Sequence, residues 1–389
     1  MKNSIQDKPT FNISTINEIM QDTYFFYMLL ESKRKLKNIE AKSYLTMFIK
    51  GLAVAINYEL SVCLENCGIL EKDKFFKSNM KNKVRKERQW LHQNICNSNK
   101  INKKIQEMGL DFSNEVYDLN VVIKNNKILD INFEQFGEDE NLDFWNSVFY
   151  LNEQVIETIF KVFDEKFESN ISKKLYKMTD AYISEKILNS IKNKINGKRY
   201  SYQSYKLFSK STALDTIDKI FILYRYRLIS SIILIEKVFY GKELKISIDP
   251  LFNLDFKNYI RKYKAISICI VGDELMKMNT DFSNSILKDI SNQIDAKFFP
   301  LNRKVRDNIH YSKINEFSNE EIEYLDTKQS EYLNIIYKHF INKINLDINN
   351  DDIFMTNFLK CCKAKGLNAE TIKENYEKLY LEYYLTGKI

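Results

Sequence analysis

A chain of 389 residues with nine glycines and three prolines has little material for tight turns, and this restricts its fold more than any other feature. Strand-rich architectures need frequent turns, and Gly and Pro supply most of the backbone geometries those turns require. Long segments rich in Lys, Glu, Ile and Leu occupy the chain instead, and such residues favour helices. The expected fold is mainly α, built from helical bundles. Hydrophobic residues make up 44% and charged residues 29%, a globular balance with enough apolar material for a sizeable core.

Apolar spacing and stop signals place helices over 14–36 and 40–66, the second ending near Gly68, and a third over 78–97. Ser14 or Thr15 with Glu18 resembles a capping box. From Val116 to Gln135, two β-rich runs flank Lys-Asn-Asn-Lys, which predicts a small β-hairpin. Helices follow over 142–168 and 176–195. The stretch 198–210 mixes basic and aromatic residues without acids and suits a linker. Further helices are expected over 213–240, 254–278, 282–296, 301–311, 319–345, 351–364 and 368–386. The implied organisation is an N-terminal helical half with a hairpin insertion (1–172), a connecting helix and linker (173–211), a helical domain (212–345) and C-terminal helices (346–389).

The most apolar stretches contain Lys50, Glu59, Arg225, Arg227 and Glu236, so they read as core helices and not as membrane spans. The N-terminus lacks the apolar run of a signal peptide. The six cysteines are irregularly spaced, which argues against a disulfide scaffold and fits a reducing cytoplasm. Neither a phosphate-binding glycine loop, a dinucleotide fingerprint nor a zinc-protease HExxH is present, and no cofactor is implied.

Charge is more informative in its placement than in its total of +7. Between Lys77 and Lys104 there are nine Lys or Arg against one acid, Glu87, which makes this segment more basic than the whole chain. Such a patch attracts phosphate, although a charge run taken alone more often marks a solvated helix face. Lys81 and Lys83 in this run, with Lys198, Arg199 and Tyr202 in the basic, aromatic stretch, are candidate RNA contacts by charge and stacking.

Two of the three histidines sit in matching octets. One runs from Arg85 through Arg88 and Gln89 to His92; the other runs from Arg303 through Arg306 and Asp307 to His310. Both read R-K-x-R-x-x-[aliphatic]-H. On a helix, positions i, i+3 and i+7 share one stripe, so each octet sets two arginines and a histidine apart from an apolar side. Histidine moves protons near neutral pH, and arginine binds phosphate bidentately. RNA cleavage needs both functions: activating a 2′-hydroxyl, stabilising the charged transition state and protonating the leaving oxygen.

These octets resemble the signature of the HEPN superfamily, R-x(4–6)-H. Its members are helical bundles, many of them metal-independent ribonucleases of toxin–antitoxin, abortive-infection and type VI CRISPR systems. Arg303 to His310 and Arg85 to His92 are both R-x6-H. Arg306-Asp307 followed by His310-Tyr311 looks like the more usual core with one residue missing. The resemblance implies two HEPN-like halves and a composite site in one chain or across a homodimer. It also implies catalytic roles for His310, Arg306, Arg303, His92, Arg88 and Arg85. Asp307 and Gln89 would orient these side chains, and Tyr311 would touch substrate. Expected partners are RNA and a regulatory protein such as an antitoxin.

Two other readings stand beside this one. Cys63, Cys67, His92 and Cys96 form two i, i+4 pairs that antiparallel helices could gather around a structural zinc. A non-catalytic helical module that binds nucleic acid or a protein partner would carry the same Arg–His face. His339, beside Phe340 and in helical register with Tyr332 and Ile336, reads as a core or boundary residue.

Overall fold

The computed structural model describes scattered residues of 14–29, then 48–66, the strand backbones at 118–124, 127–132 and 201–206, then 216–240, 256–311, 314–375 and a few residues of 378–389. The fold is mainly α. The described residues between 14 and 29 are helical. A π-helical turn, Ile49–Ala53, leads into α1, Val54–Asn66. Then come α2 (Thr216–Tyr240), α3 (Phe256–Met278), α4 (Asp281–Gln293), α5 (Phe298–Asp307), α6 (Asn319–Ala364) and α7 (Ala369–Glu374). Among the described residues no helix is long and apolar enough to cross a membrane. The expected helices at 78–97, 142–168 and 176–195 lie outside the described residues.

The chain divides into two compact units. The first comprises Met1–Ile101, Gln135–Arg199 and Asp215–Lys338; the second comprises Asn102–Glu134, Tyr200–Leu214 and His339–Ile389.

In the first unit α3 is the central helix. Every residue from Tyr259 to Ile268 is buried, so this stretch is enclosed on all sides. An enclosed helix is normally apolar all round. This one carries Arg261, Lys262 and Lys264, and each charge must then find a partner. Arg261 meets Asp326 of α6 through two hydrogen bonds, Nε to Oδ1 at 2.7 Å and Nη2 to Oδ2 at 3.0 Å. Lys262 is paired with Asp22 and Glu18 of the N-terminal helical segment. Lys264 contacts Glu236 of α2 and donates to Ser330 of α6 at 2.8 Å. Nearer the end of α3, buried Glu274 accepts from Arg225 of α2, Nε to Oε2 at 2.7 Å. Burial lowers the Lys264 pKa against the pull of Glu236, and it raises that of Glu274 against the pull of Arg225. Aromatic contacts also join this helix to the N-terminal segments: Phe25 on Tyr259 at 4.4 Å and Phe48 stacked on Tyr263 at 4.5 Å between ring centroids.

The turn from α3 to α4 is set by local chemistry. Asn279 takes a left-handed φ of 50°, a conformation asparagine tolerates better than most residues. Thr280 then forms a capping box with Ser283, accepting from its N–H at 3.1 Å while Ser283 Oγ accepts from the Thr280 N–H at 2.9 Å.

In the second unit, the antiparallel strands run in the order β2-β1-β3, with β1 Asp118–Lys124, β2 Lys127–Asn132 and β3 Ser201–Lys206. Strand β3 falls where the sequence reads as a basic, aromatic linker. A small apolar cluster of Phe358, Cys362 and Ile389 closes around the end of α6. Gly366, at φ 75°, supplies the left-handed residue after that helix, and Asn368 caps α7 by accepting from the Thr371 N–H at 2.8 Å.

One expectation is corrected. The sequence predicts separate helices over 319–345 and 351–364, whereas α6 runs unbroken from Asn319 to Ala364. The intervening Asn- and Asp-rich stretch lowers helix propensity but contains no Gly or Pro to force a break.

Candidate functional site

Helix α5 carries the second Arg–His octet. Phe298, Asn302, Val305 and Ile309 are buried at helical spacing and turn one face of this segment inward. Pro300 lies in the first turn, where a missing N–H is tolerated. Arg303 and His310 are exposed and Arg306 and Asp307 half-buried, on the side away from that face. The helix tightens into a 3-10 turn over Asn308–His310, so the octet is not one continuous α-helix. Asn302 is held from inside: it donates to the Ala265 carbonyl at 3.3 Å and accepts from Gln329 at 2.8 Å.

The 3-10 turn is closed by an amide clamp. Asn308 Oδ1 accepts from the Asn315 N–H at 2.8 Å, and Asn308 Nδ2 donates to the Asn315 carbonyl at 3.1 Å. Asn315 Nδ2 donates in turn to the Lys304 carbonyl at 3.2 Å. These bonds tie the segment after His310 back onto α5. Nothing in the sequence marks Asn308 or Asn315 beyond their polarity.

His310 meets a partner that the motif does not contain. Its Nδ1 lies 3.1 Å from Oε2 of Glu59 on α1. The imidazole side chain is 48% exposed and the Glu59 side chain 12%, so the ring faces outward on a largely covered carboxylate. An ionised carboxylate only accepts, so the pairing selects the tautomer protonated on Nδ1 and leaves Nε2 to exchange a proton. Glu59 reads in the sequence only as a charge inside an apolar run.

Arg306 is steadied by its neighbour. Its Nε and Nη2 donate to Asp307 Oδ1 at 3.0 and 2.6 Å. Partial burial opposes the guanidinium charge, but the Asp307 hydrogen bond and the nearby Cys269 and Asp273 raise its pKa above the usual value. Burial pushes the Cys269 thiol up, opposed by Arg306 and Arg303. Both arginines of the octet therefore act electrostatically on one point of α3.

Tyr311 is the next residue after His310, and it is buried, with 2% exposure. The resemblance implies a substrate contact for it; the structure places its hydroxyl on Asp22, with the Lys262 ammonium 4.9 Å from the ring centroid. Its backbone is left-handed, φ 54°, which is uncommon for a bulky residue. Burial and the adjacent Asp22 charge raise the Tyr311 pKa well above its ordinary value, so the hydroxyl remains a donor. Burial pushes the Asp22 carboxyl up to about 6 against the pull of Lys262. Burial also opposes the Lys262 charge, but Asp22 and Glu18 outweigh it, and the ammonium persists.

The first octet (Arg85, Arg88, Gln89, His92) and the basic residues Lys81, Lys83, Lys198 and Arg199 lie outside the described residues. Tyr202 lies on β3, of which only the backbone is described. For the zinc alternative, Cys63 is buried on α1, while Cys67, His92 and Cys96 lie outside the described residues. Among the described residues no group of three metal-ligating side chains converges. His339 is half-buried in α6.

No protein-family model, curated protein or solved structure matches this chain. The arrangement itself defines what chemistry is within reach: an outward imidazole paired with a carboxylate, four residues and just over one turn beyond an arginine whose charge its neighbours favour.

Proposed function

We propose that the chain is an endoribonuclease of the Arg–His type, with His310 as the proton-transfer group. The observation that carries this reading is the pairing of exposed His310 with Glu59 at 3.1 Å, at the end of the helix that bears Arg303 and Arg306. In the reaction, His310 Nε2 takes the proton of a ribose 2′-hydroxyl as its oxygen bonds to phosphorus. The bond from phosphorus to O5′ breaks, and that oxygen receives a proton from a second acid. His92, in the same chain or a second copy, is the candidate. Arg303 and Arg306 hold the scissile phosphate and stabilise its added charge. Asp307 fixes Arg306, and Glu59 fixes His310. The route is general acid–base catalysis and calls on no bound cation.

The similarity of the motif to HEPN ribonucleases supports a role in phage defence or a toxin system, in the cytoplasm and under the control of an antitoxin or other partner. The test is cleavage of labelled single-stranded RNA by the purified full chain in excess chelator. His310→Ala is expected to lower the rate about 100-fold or more at unchanged melting temperature. Wild-type protein that binds RNA without cutting it would replace this reading with a non-catalytic binding module.

A further inference from the structure

We infer that Tyr311, Asp22 and Lys262 form a buried positioning latch that sets the His310 imidazole for proton transfer. The inference rests on the reading of His310 as the proton-transfer group. It adds three residues that touch neither substrate nor the reacting atoms.

The starting point is the backbone. His310 closes the 3-10 turn, and the next residue, Tyr311, is left-handed at φ 54°. L side chains rarely adopt this conformation, and a bulky aromatic residue does so only where surrounding contacts hold it there. Those contacts come from two distant parts of the chain. The hydroxyl donates to Asp22 of the N-terminal helical segment. Asp22 is paired with Lys262 of α3, whose ammonium also lies 4.9 Å from the Tyr311 ring centroid. The Tyr311 N–H donates back to the Asn308 carbonyl at 3.3 Å. Tyr311 is thus pinned at both ends, and His310 stands between the pinned residue and the closed turn.

The composition of this group is a poor choice for stability alone. Replacing a buried ion pair by apolar residues of similar volume is often neutral or stabilising. Here two carboxylates, Glu18 and Asp22, share one ammonium, and all three are largely covered. Asp22 Oδ1 is buried and accepts no hydrogen bond among the described residues. Tyr311 and Lys262 both converge on the other oxygen, Oδ2. The orientation is passed on covalently, because Tyr311 and His310 share a peptide plane.

Tyr311→Phe keeps the ring and its burial and removes only the hydroxyl. The test uses the full chain labelled with 15N-histidine. Its three histidines give a readable spectrum, and His310 is assigned by its loss in His310→Ala. The expected result is a folded Tyr311→Phe protein in which the His310 nitrogen signals and their pH titration move. The kcat for RNA cleavage falls about tenfold or more while KM stays unchanged. Asp22→Asn gives the same changes, and the double variant adds little to either single one. A folded Tyr311→Phe protein with wild-type His310 signals and kcat overturns the latch. If Tyr311→Phe does not fold, the folded Asp22→Asn protein decides by the same two measurements; if neither folds, the group is structural and the inference fails. Absence of RNA cleavage by the wild type would remove the proposed function, while the His310 spectrum would still decide for or against the latch.

Discussion

Nδ1 of His310 lies 3.1 Å from Oε2 of Glu59, a residue 251 positions earlier in the chain. A carboxylate behind an imidazole fixes the tautomer and stabilises the imidazolium that forms when the ring takes a proton. Glu59→Gln replaces a pure acceptor with a group that also donates, so the ring loses its imposed tautomer. The single-turnover rate of RNA cleavage is expected to fall at least about tenfold, with RNA affinity little changed. A rate within twofold of wild type would mean that Glu59 does not orient His310.

The buried Arg225–Glu274 pair joins α2 to α3. Removing one partner leaves the other charge buried and unpaired, which costs about 3–5 kcal/mol. Glu274→Ala should therefore lower the urea midpoint strongly. The double change Arg225→Met with Glu274→Leu should recover most or all of that loss. Equal destabilisation of the single and double variants would count against this account of the pair.

Gly272 marks the close approach of α3 to Tyr332 on α6. A Cβ at this position would come to 2.9 Å from the Tyr332 hydroxyl oxygen. Gly272→Ala gains up to about 1 kcal/mol of helix propensity. Overpacking against a buried tyrosine costs about 1–3 kcal/mol, and it is expected to win. Tyr332→Phe removes the obstructing oxygen, so the double variant should be more stable than Gly272→Ala alone. Chemical denaturation of the four proteins completes the cycle, and additive effects would show that the two residues do not meet.

Asp22 gives stability a specific pH signature. Its pKa is pushed up to about 6 in the folded protein from an ordinary 3.8. Between those values the folded state holds a proton that the unfolded chain has released. Its contribution is thus fully present at the acid end of the window and is lost as pH rises through about 6. The stability difference between wild type and Asp22→Asn is expected to be larger near pH 4.5 than near pH 7. A difference that grows with pH would instead mean that the pull of Lys262 outweighs burial.

How much of this was legible in the sequence depends on how local the cause is. The ends of α2 and α3 follow from apolar spacing and lie within three residues of their expected positions, as does the Thr280 start of α4. The continuity of α6 is not legible in the sequence, because weak helix formers resemble a break when tertiary support is unseen. The burial of Arg261, Lys262 and Lys264 was also out of reach. Their partners Asp326, Asp22 and Glu236 lie far away in sequence, and no periodicity reports a charge that is paired across a core. The site shows the same division. Arg303, Arg306, Asp307 and His310 stand out by type and spacing, whereas Glu59 is visible only once α1 and the 3-10 turn are side by side. The substrate contact expected of Tyr311 comes from the family resemblance alone; its left-handed backbone and burial are announced by no residue type.

The most direct test of the central claim is the chemistry of the RNA ends left by the purified chain in excess chelator. Attack by a 2′-hydroxyl under His310 catalysis predicts a 2′,3′-cyclic phosphate on one product and a 5′-hydroxyl on the other, both absent with His310→Ala. Products bearing a 3′-hydroxyl and a 5′-phosphate, or cleavage that persists in His310→Ala, would contradict it.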